Sequence, residues 1–273
     1  NGRVYTYRIR KGIHFTPDPA FKGAKRELTA QDFIYSFLRF VDPKIRSPYA
    51  FLVEGKIEGL DALAAKAKET GKFDYDAKIP GMVAVDRYTL RFRLVQRDYN
   101  FPFVTAMVPS WVVAREVVEA YGDDILAHPV GTGPYALKSW TRGAKIVLEA
   151  NPDYRGFVWD FQPMADSWDR KLVAEMKGKR MPQIGRVEIS IIEEDQARLL
   201  AFQNGELDLM NMEGPLAPKV LEGGKLNAEL TAKGVKLSRF VDPEISYHYW
   251  NLQDPVVGGL TKEKIALRRA MAM

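Results

Sequence analysis

The chain contains no cysteine, which excludes a disulfide scaffold, a thiolate zinc site and a cysteine nucleophile within these residues. Histidine is scarce: His14, His128 and His248 are far apart in sequence, so the close pairing of ligands typical of a zinc site is missing and no metal is expected. Long apolar runs are also missing. The best candidate, residues 101–114, is interrupted by Pro102, Pro109 and Ser110 and falls short of the roughly 20 residues a membrane-spanning helix needs. No block of like charges occurs, so a nucleic-acid arm is not expected. A Gly-x-Ser-x-Gly nucleophile elbow is absent. Gly131-Thr132-Gly133-Pro134 lacks the Gly-Lys-Ser/Thr ending of a phosphate loop and precedes a strand pattern, so it reads as a tight turn whose glycines supply special backbone angles. Glu193-Glu194-Asp195 places consecutive carboxylates at a strand-to-helix junction, where they point apart and favour a helix N-terminus over paired acid and base chemistry.

What is present is an ordinary globular composition. The 273 residues, 46% hydrophobic and 27% charged, suffice for one large or two modest domains with a sizeable core. Lys and Arg number 40 against 35 Asp and Glu, a formal charge of +5. The excess is uneven: residues 1–113 hold 19 basic and 12 acidic side chains, and residues 114–273 hold 21 and 23. A boundary near Val113 is therefore expected.

Strand and helix patterns interleave, which predicts α/β architecture. Residues 4–10 alternate as a strand. Leu28-Thr29-Ala30-Gln31-Asp32-Phe33 combines a capping box with a hydrophobic staple and predicts a helix whose apolar face carries Phe33, Ile34, Phe37, Leu38 and Val41. A second helix is expected near residues 58–70, and a hairpin over 81–94 with Asp86-Arg87 as its turn. A short helix at 114–121 and strands at 135–140, 144–150 and 186–192 follow. Beyond them come a helix at 195–204 and strands at 206–210, 235–240 and 246–252. The helical spacing of 263–273 ends without a stop signal, and the strand pattern begins almost at Asn1. An internal piece of a longer protein is expected, and the missing targeting segment carries no information. In the last strand pattern Tyr247 and Tyr249 fall on one side and His248 and Trp250 on the other. Tyr49 follows Ser47-Pro48. These aromatics suit a cavity wall or an ordinary core equally well.

Several segments, taken in order, resemble the bacterial extracellular solute-binding proteins of family 5, the peptide-binding class that serves ABC importers. They are Tyr5-Thr6-Tyr7-Arg8-Ile9-Arg10-Lys11-Gly12-Ile13-His14-Phe15, Leu28-Thr29-Ala30-Gln31-Asp32-Phe33 with Asp42-Pro43, and Ser47-Pro48-Tyr49-Ala50. Val85-Asp86-Arg87-Tyr88-Thr89-Leu90, Gly131-Thr132-Gly133-Pro134-Tyr135 and Asn151-Pro152-Asp153-Tyr154 continue the series, and Gly205-Glu206-Leu207-Asp208 and Leu267-Arg268-Arg269-Ala270 complete it.

The resemblance implies a bilobal fold like that of type II periplasmic binding proteins. Residues 1–113 would be a small α/β domain packed on lobe I, and residues 114–273 the central part of lobe I, ending at the crossover to an absent lobe II. It implies a substrate-binding component that captures a peptide or small solute in an interlobe cleft and delivers it to ABC permease subunits, in the periplasm or at the cell surface. It implies no cofactor, no catalytic residue and no nucleic-acid partner. Tyr49 would border the cleft, Tyr247 would run along the ligand, and Asn211 and Glu213 would occupy a loop turned toward it. A departure from the family pattern, residues 156–183 with Trp159 and Trp168, reads as a surface loop. The rival readings are a sensor or chaperone on the same fold and a cleft hydrolase, the latter requiring a converging acid and base pair.

Overall fold

The computed structural model describes residues 2–164, 166–212, 214–239 and 245–272, and the chain divides into two compact units, Asn1–Ile192 and Glu193–Met273.

The first unit is organised by an antiparallel sheet and the helix that covers it. Its leading elements are β1 (Val4–Arg8), α1 (Ala30–Leu38), α2 (Leu60–Thr70), β2 (Met82–Asp86) and β3 (Thr89–Arg93). The strand order is β1-β3-β2, with Tyr5 opposite Phe92 and Tyr7 opposite Leu90. Alternation along β3 buries Leu90 and Phe92 and leaves Arg91 and Arg93 exposed, as the sequence pattern predicts for a sheet wet on one side. On the dry side the Phe92 ring lies 4.9 Å from Phe37 of α1 and 5.1 Å from Phe101. Phe101 opens α3 (Phe101–Ala106). Ile34, Phe37, Leu38, Val53, Leu60 and Leu94 complete this cluster.

Local chemistry sets the ends of these elements. The Thr29 backbone N–H donates to Asp32 Oδ2 at 2.7 Å and the Thr29 hydroxyl donates to the same oxygen at 2.8 Å, so α1 starts where the capping pattern predicts. The hairpin turn falls one residue later than expected, at Arg87-Tyr88, because Asp86 Oδ1 accepts the Tyr88 N–H at 2.7 Å while Asp86 itself pairs with Thr89. Gly81 is required by a close approach: a Cβ there would meet the Glu58 carbonyl oxygen at 2.3 Å, while the Gly81 N–H donates to that oxygen at 2.9 Å.

A smaller cluster gathers Phe15, Phe21 and Leu28 against Ala114 and Val117, at the start of α4 (Arg115–Tyr121). Beyond it come β4 (Tyr135–Thr141) and β5 (Lys145–Ala150). The turn between α4 and β4 differs from expectation, because neither Gly131 nor Gly133 has a positive φ. It is pinned by hydrogen bonds: the Thr16 N–H donates to the Gly131 carbonyl at 2.8 Å, and Asn151, 5% exposed, donates its Nδ2 to the Gly133 carbonyl at 2.9 Å.

The described part of residues 156–183 also departs from expectation, since it carries secondary structure of its own. β6 (Phe157–Val158) pairs antiparallel with β7 (Arg180–Met181) around α5 (Ser167–Met176). Trp159 and Phe161, with ring centroids 4.7 Å apart, and the buried Val173 supply apolar side chains that a bare loop would lack. β8 (Arg186–Ser190) then completes a sheet of order β4-β5-β8.

The second unit holds α6 (Asp195–Gln203), α7 (Ala217–Val220), a short ribbon of β9 (Leu221–Glu222) and β10 (Lys225–Leu226), α8 (Ala228–Ala232) and α9 (Lys262–Met271). Leu199, Leu216, Val220 and Leu230 form its core cluster. Residues 206–210, 235–239 and 246–252 are not strands, contrary to their alternation; Phe240 lies outside the described residues. Alternation gives a segment two faces, but a strand also needs a neighbour for its backbone groups. No described segment pairs with these three.

Candidate functional site

Tyr49 belongs to the turn that leads into the 3₁₀ helix Ala50–Leu52. The Tyr49 N–H donates to Ser47 Oγ at 3.3 Å and the Leu52 N–H donates to the Tyr49 carbonyl at 3.0 Å. Proline at position 48 and these two bonds fix the backbone, while 45% of the tyrosine remains exposed.

In the second unit, Tyr247 lies in an extended stretch, residues 245–250, whose backbone makes no hydrogen bond among the described residues. Tyr247 is 75% exposed, and its ring lies 6.3 Å from that of Tyr249. The two rings are neighbours although the segment is not the strand on which the sequence expectation placed them. Asn211 is exposed and makes no hydrogen bond with Tyr247 among the described residues; Glu213 lies outside them. Of the second unit's implied site residues, none is joined to another by a described contact, and the neighbour that Tyr247 does have is Tyr249.

Sequence reasoning gave no role to Arg268 beyond its place in a motif. Its guanidinium donates to the Val257 carbonyl at 2.6 Å and the Gly259 carbonyl at 2.8 Å, and the Lys264 ammonium donates to the Pro255 carbonyl at 2.7 Å and also to that of Val256. Asp254 Oδ1 accepts the N–H groups of Val256 and Val257, which holds its carboxyl below the usual range. Helix α9 thus clamps the loop at 254–259 that follows the tyrosine stretch. A basic residue one turn from another on a helix next to an Asp-Pro loop is the signal that could have found it.

Asp32, Glu116 and Glu27 of the first unit are committed to structural contacts. Arg26 Nη2 meets Asp32 Oδ1 at 2.5 Å and Arg26 Nε meets Glu116 Oε1 at 2.7 Å. Burial opposes the Arg26 charge, but these bonds outweigh it and hold the guanidinium firmly protonated. For Glu116, burial pushes the pKa up, yet the Arg26 hydrogen bond prevails and the net shift is downward. Glu27 accepts the Gly12 N–H at 2.8 Å, the Tyr88 hydroxyl at 2.8 Å and Arg87 at 3.2 Å. Led by the Gly12 bond, these lower its pKa to about 2. Carboxyls held this low are unsuited to donating a proton near neutrality. Among the described residues no group of three or more His, Asp or Glu is placed to hold a metal ion.

A cavity of about 360 Å³ opens beside β1, with Ile9, Leu28, Phe33 and Phe92 below and the side chains of Arg10 and Arg155 at its margin. Leu28 and Phe92 are core side chains, and Tyr7, Arg8, Thr105 and Thr132 line the cavity beside them.

The whole chain, residues 1–273, matches the family model described as bacterial extracellular solute-binding proteins, family 5 middle. The di/tripeptide-binding protein 2 of Pseudomonas aeruginosa is 29% identical over 171 residues, which cover 61% of this chain and 29% of that protein. The oligopeptide-binding protein OppA of Bacillus subtilis is 27% identical over 244 residues, covering 84% of this chain and 37% of that protein. Among solved structures, the murein tripeptide binding protein MppA of Escherichia coli superposes with a TM-score of 0.58 and 25% identity over 81% of this chain and 37% of that one. The chain thus spans about a third of the length of these relatives, and its mixed helix and sheet content fits a piece of the bilobal solute-binding fold that the sequence implied.

Proposed function

We propose, for a chain that belongs to the bacterial extracellular solute-binding proteins of family 5, that it forms part of a receptor which captures a peptide and delivers it to the permease of an ABC importer. The family match along all 273 residues carries this proposal, and the relatives above bear the names of peptide receptors. Two features of the chain support it. The stretch at 245–250 offers backbone donors and acceptors not engaged by any described residue, together with two exposed tyrosine rings. An extended peptide satisfies such a segment by adding alongside it, taking affinity from main-chain hydrogen bonds and specificity from side-chain pockets. Tyr49, Tyr247, Asn211 and Glu213 are the proposed ligand contacts.

In this proposal residues 1–113 are the small domain and residues 114–273 the central part of lobe I. The charge split at Val113 supports the division, although the compact units divide at Ile192 and the packing of Ala114 and Val117 on Phe15 and Leu28 lies within the first of them. Peptide binding works by differential affinity: a ligand that touches both lobes stabilises the closed receptor, and closure is what the permease reads. No covalent step is needed, and the receptor acts outside the cytoplasmic membrane. A thermal-shift screen of the protein carrying this chain against di- to pentapeptides tests the proposal. A peptide at 100 times its Kd raises stability by about 2.7 kcal/mol; no shift with any peptide, beside a clear shift with a sugar or metal chelate, contradicts the peptide assignment.

A further inference from the structure

Several cations of the first unit are held in ion pairs. Arg3, Lys25, Arg26, Arg87 and Arg115 each meet a carboxylate at 3.2 Å or less. Three cations around one cleft do not follow this pattern. Lys44 and Arg46, from the turn after the 3₁₀ helix Arg39–Val41, and Lys68, from the last turn of α2, line an open cavity of about 570 Å³. Their side chains make no ion pair or hydrogen bond among the described residues.

The single carboxylate lining the cavity, Asp42, is only 6% exposed and is turned to other work. It accepts the Tyr75 hydroxyl at 2.5 Å and the Lys44 N–H at 2.9 Å. Three cations against one engaged carboxylate leave the cleft with two uncompensated positive charges. The turn that presents them carries a second mark. Arg46 has a φ of +52°, a left-handed conformation it shares with only one other non-glycine residue among those described, Lys22. Lys22 closes a 3₁₀ turn by donating its N–H to the Pro19 carbonyl, whereas no such cap accounts for Arg46. Arginine in this region is strained by roughly 1–2 kcal/mol relative to glycine, so the position keeps a guanidinium where glycine would be easier.

We propose that the cleft between the turn at residues 42–46 and the end of α2 binds a phosphate-bearing polyanion. A guanidinium matches phosphate oxygens two at a time and ammonium groups act as point charges beside it. The cavity falls in the size range of small-ligand sites, which is ample for more than one phosphate. Ala67 and Phe73, both buried, form an apolar side to the cleft. The phosphates are either free or carried on a lipid headgroup. This site is independent of the peptide reading, since it uses neither tyrosine.

The test titrates inorganic tripolyphosphate, and separately phosphatidylglycerol and phosphatidylcholine vesicles, into the protein carrying this chain. Two variants with equal charge loss are compared: Lys44→Gln/Arg46→Gln/Lys68→Gln at the cleft, and Lys177→Gln/Lys179→Gln/Lys236→Gln elsewhere. Saturable, salt-sensitive binding of tripolyphosphate is expected, weakened about tenfold or more in the cleft variant and kept in the other. The same pattern with phosphatidylglycerol vesicles alone assigns the phosphate to a lipid. Arg46→Gly keeps the comparison clear of folding defects: its affinity should fall while its melting temperature does not. Absence of saturable binding to either probe, equal weakening in both triple variants, or unchanged affinity in Arg46→Gly overturns the proposal.

Discussion

The two units of this chain solve the problem of burying apolar surface to different degrees. In the first, a three-stranded sheet, a capped helix and a phenylalanine cluster close on each other, and Phe37, Phe92 and Phe101 are each about 1% exposed or less. In the second, the core cluster is Leu199, Leu216, Val220 and Leu230, and Leu209, Ile245, Tyr247, Tyr249 and Leu260 are each 75% exposed or more. A pattern of alternating residues has the same look in both. Among the described residues its longer strands form in the first unit, where β1 and β2 flank β3 on both edges, and the second unit has only the two-residue pair β9 and β10. Secondary structure in a sheet is thus a property of neighbours, and the tyrosine stretch has none among the described residues.

The sharpest way to break this contrast is to remove its central ring. Phe92→Ala deletes a side chain packed on Phe37, Phe101 and Tyr7 and should destabilise the first unit by about 3–5 kcal/mol. Denaturant unfolding followed by a probe in each unit checks it, and the second unit should respond far less. Leu216→Ala, at a residue 0% exposed, should cost about 2–5 kcal/mol and show as early proteolysis within residues 193–273. Equal loss of both units in either variant would mean that their cores are a single cooperative body.

Next in size is Asp32→Ala. It takes from buried Asp32 both its Arg26 bond and its hold on the Thr29 N–H, a charged hydrogen bond worth about 1.5–3 kcal/mol. A loss well below 1 kcal/mol in urea denaturation would show that Arg26 transfers fully to Glu116.

The smallest effect is a pH dependence. Glu27 has a folded pKa of about 2 against an ordinary value of 4.5. A depressed folded pKa adds stability above the unfolded value, and that stability is lost as pH falls from about 4.5 toward 2. Glu27→Gln should flatten the decline of the first unit's melting temperature in that window; an unchanged slope would mean that the Gly12, Tyr88 and Arg87 contacts are not kept in solution.

Much of the first unit can be read from its sequence. The start of α1 followed from Thr29 and Asp32, and the two faces of β3 from Leu90, Phe92 and their arginine neighbours. The hairpin turn moved by one residue because a side-chain bond from Asp86, not residue type alone, sets it. The turn at 131–134 held by hydrogen bonds from Thr16 and Asn151, which are distant in sequence and so invisible to a local pattern. In the second unit the strand patterns at 206–210 and 246–252 have no partner among the described residues, and periodicity cannot supply one. Of the site, the pairing of Tyr247 with Tyr249 was legible in the i, i+2 spacing, while the clamp of Arg268 on the Val257 and Gly259 carbonyls was not, because it depends on how a loop folds back on a helix.

The most direct test is calorimetric titration of the peptide that gives the largest thermal shift into the protein carrying this chain, as wild type and as Tyr247→Ala. The exposed Tyr247 should contribute its ring to binding, so the variant should lose about 1–3 kcal/mol of affinity with its melting temperature unchanged. Wild-type affinity in Tyr247→Ala would contradict the assignment of this stretch as a peptide-binding edge.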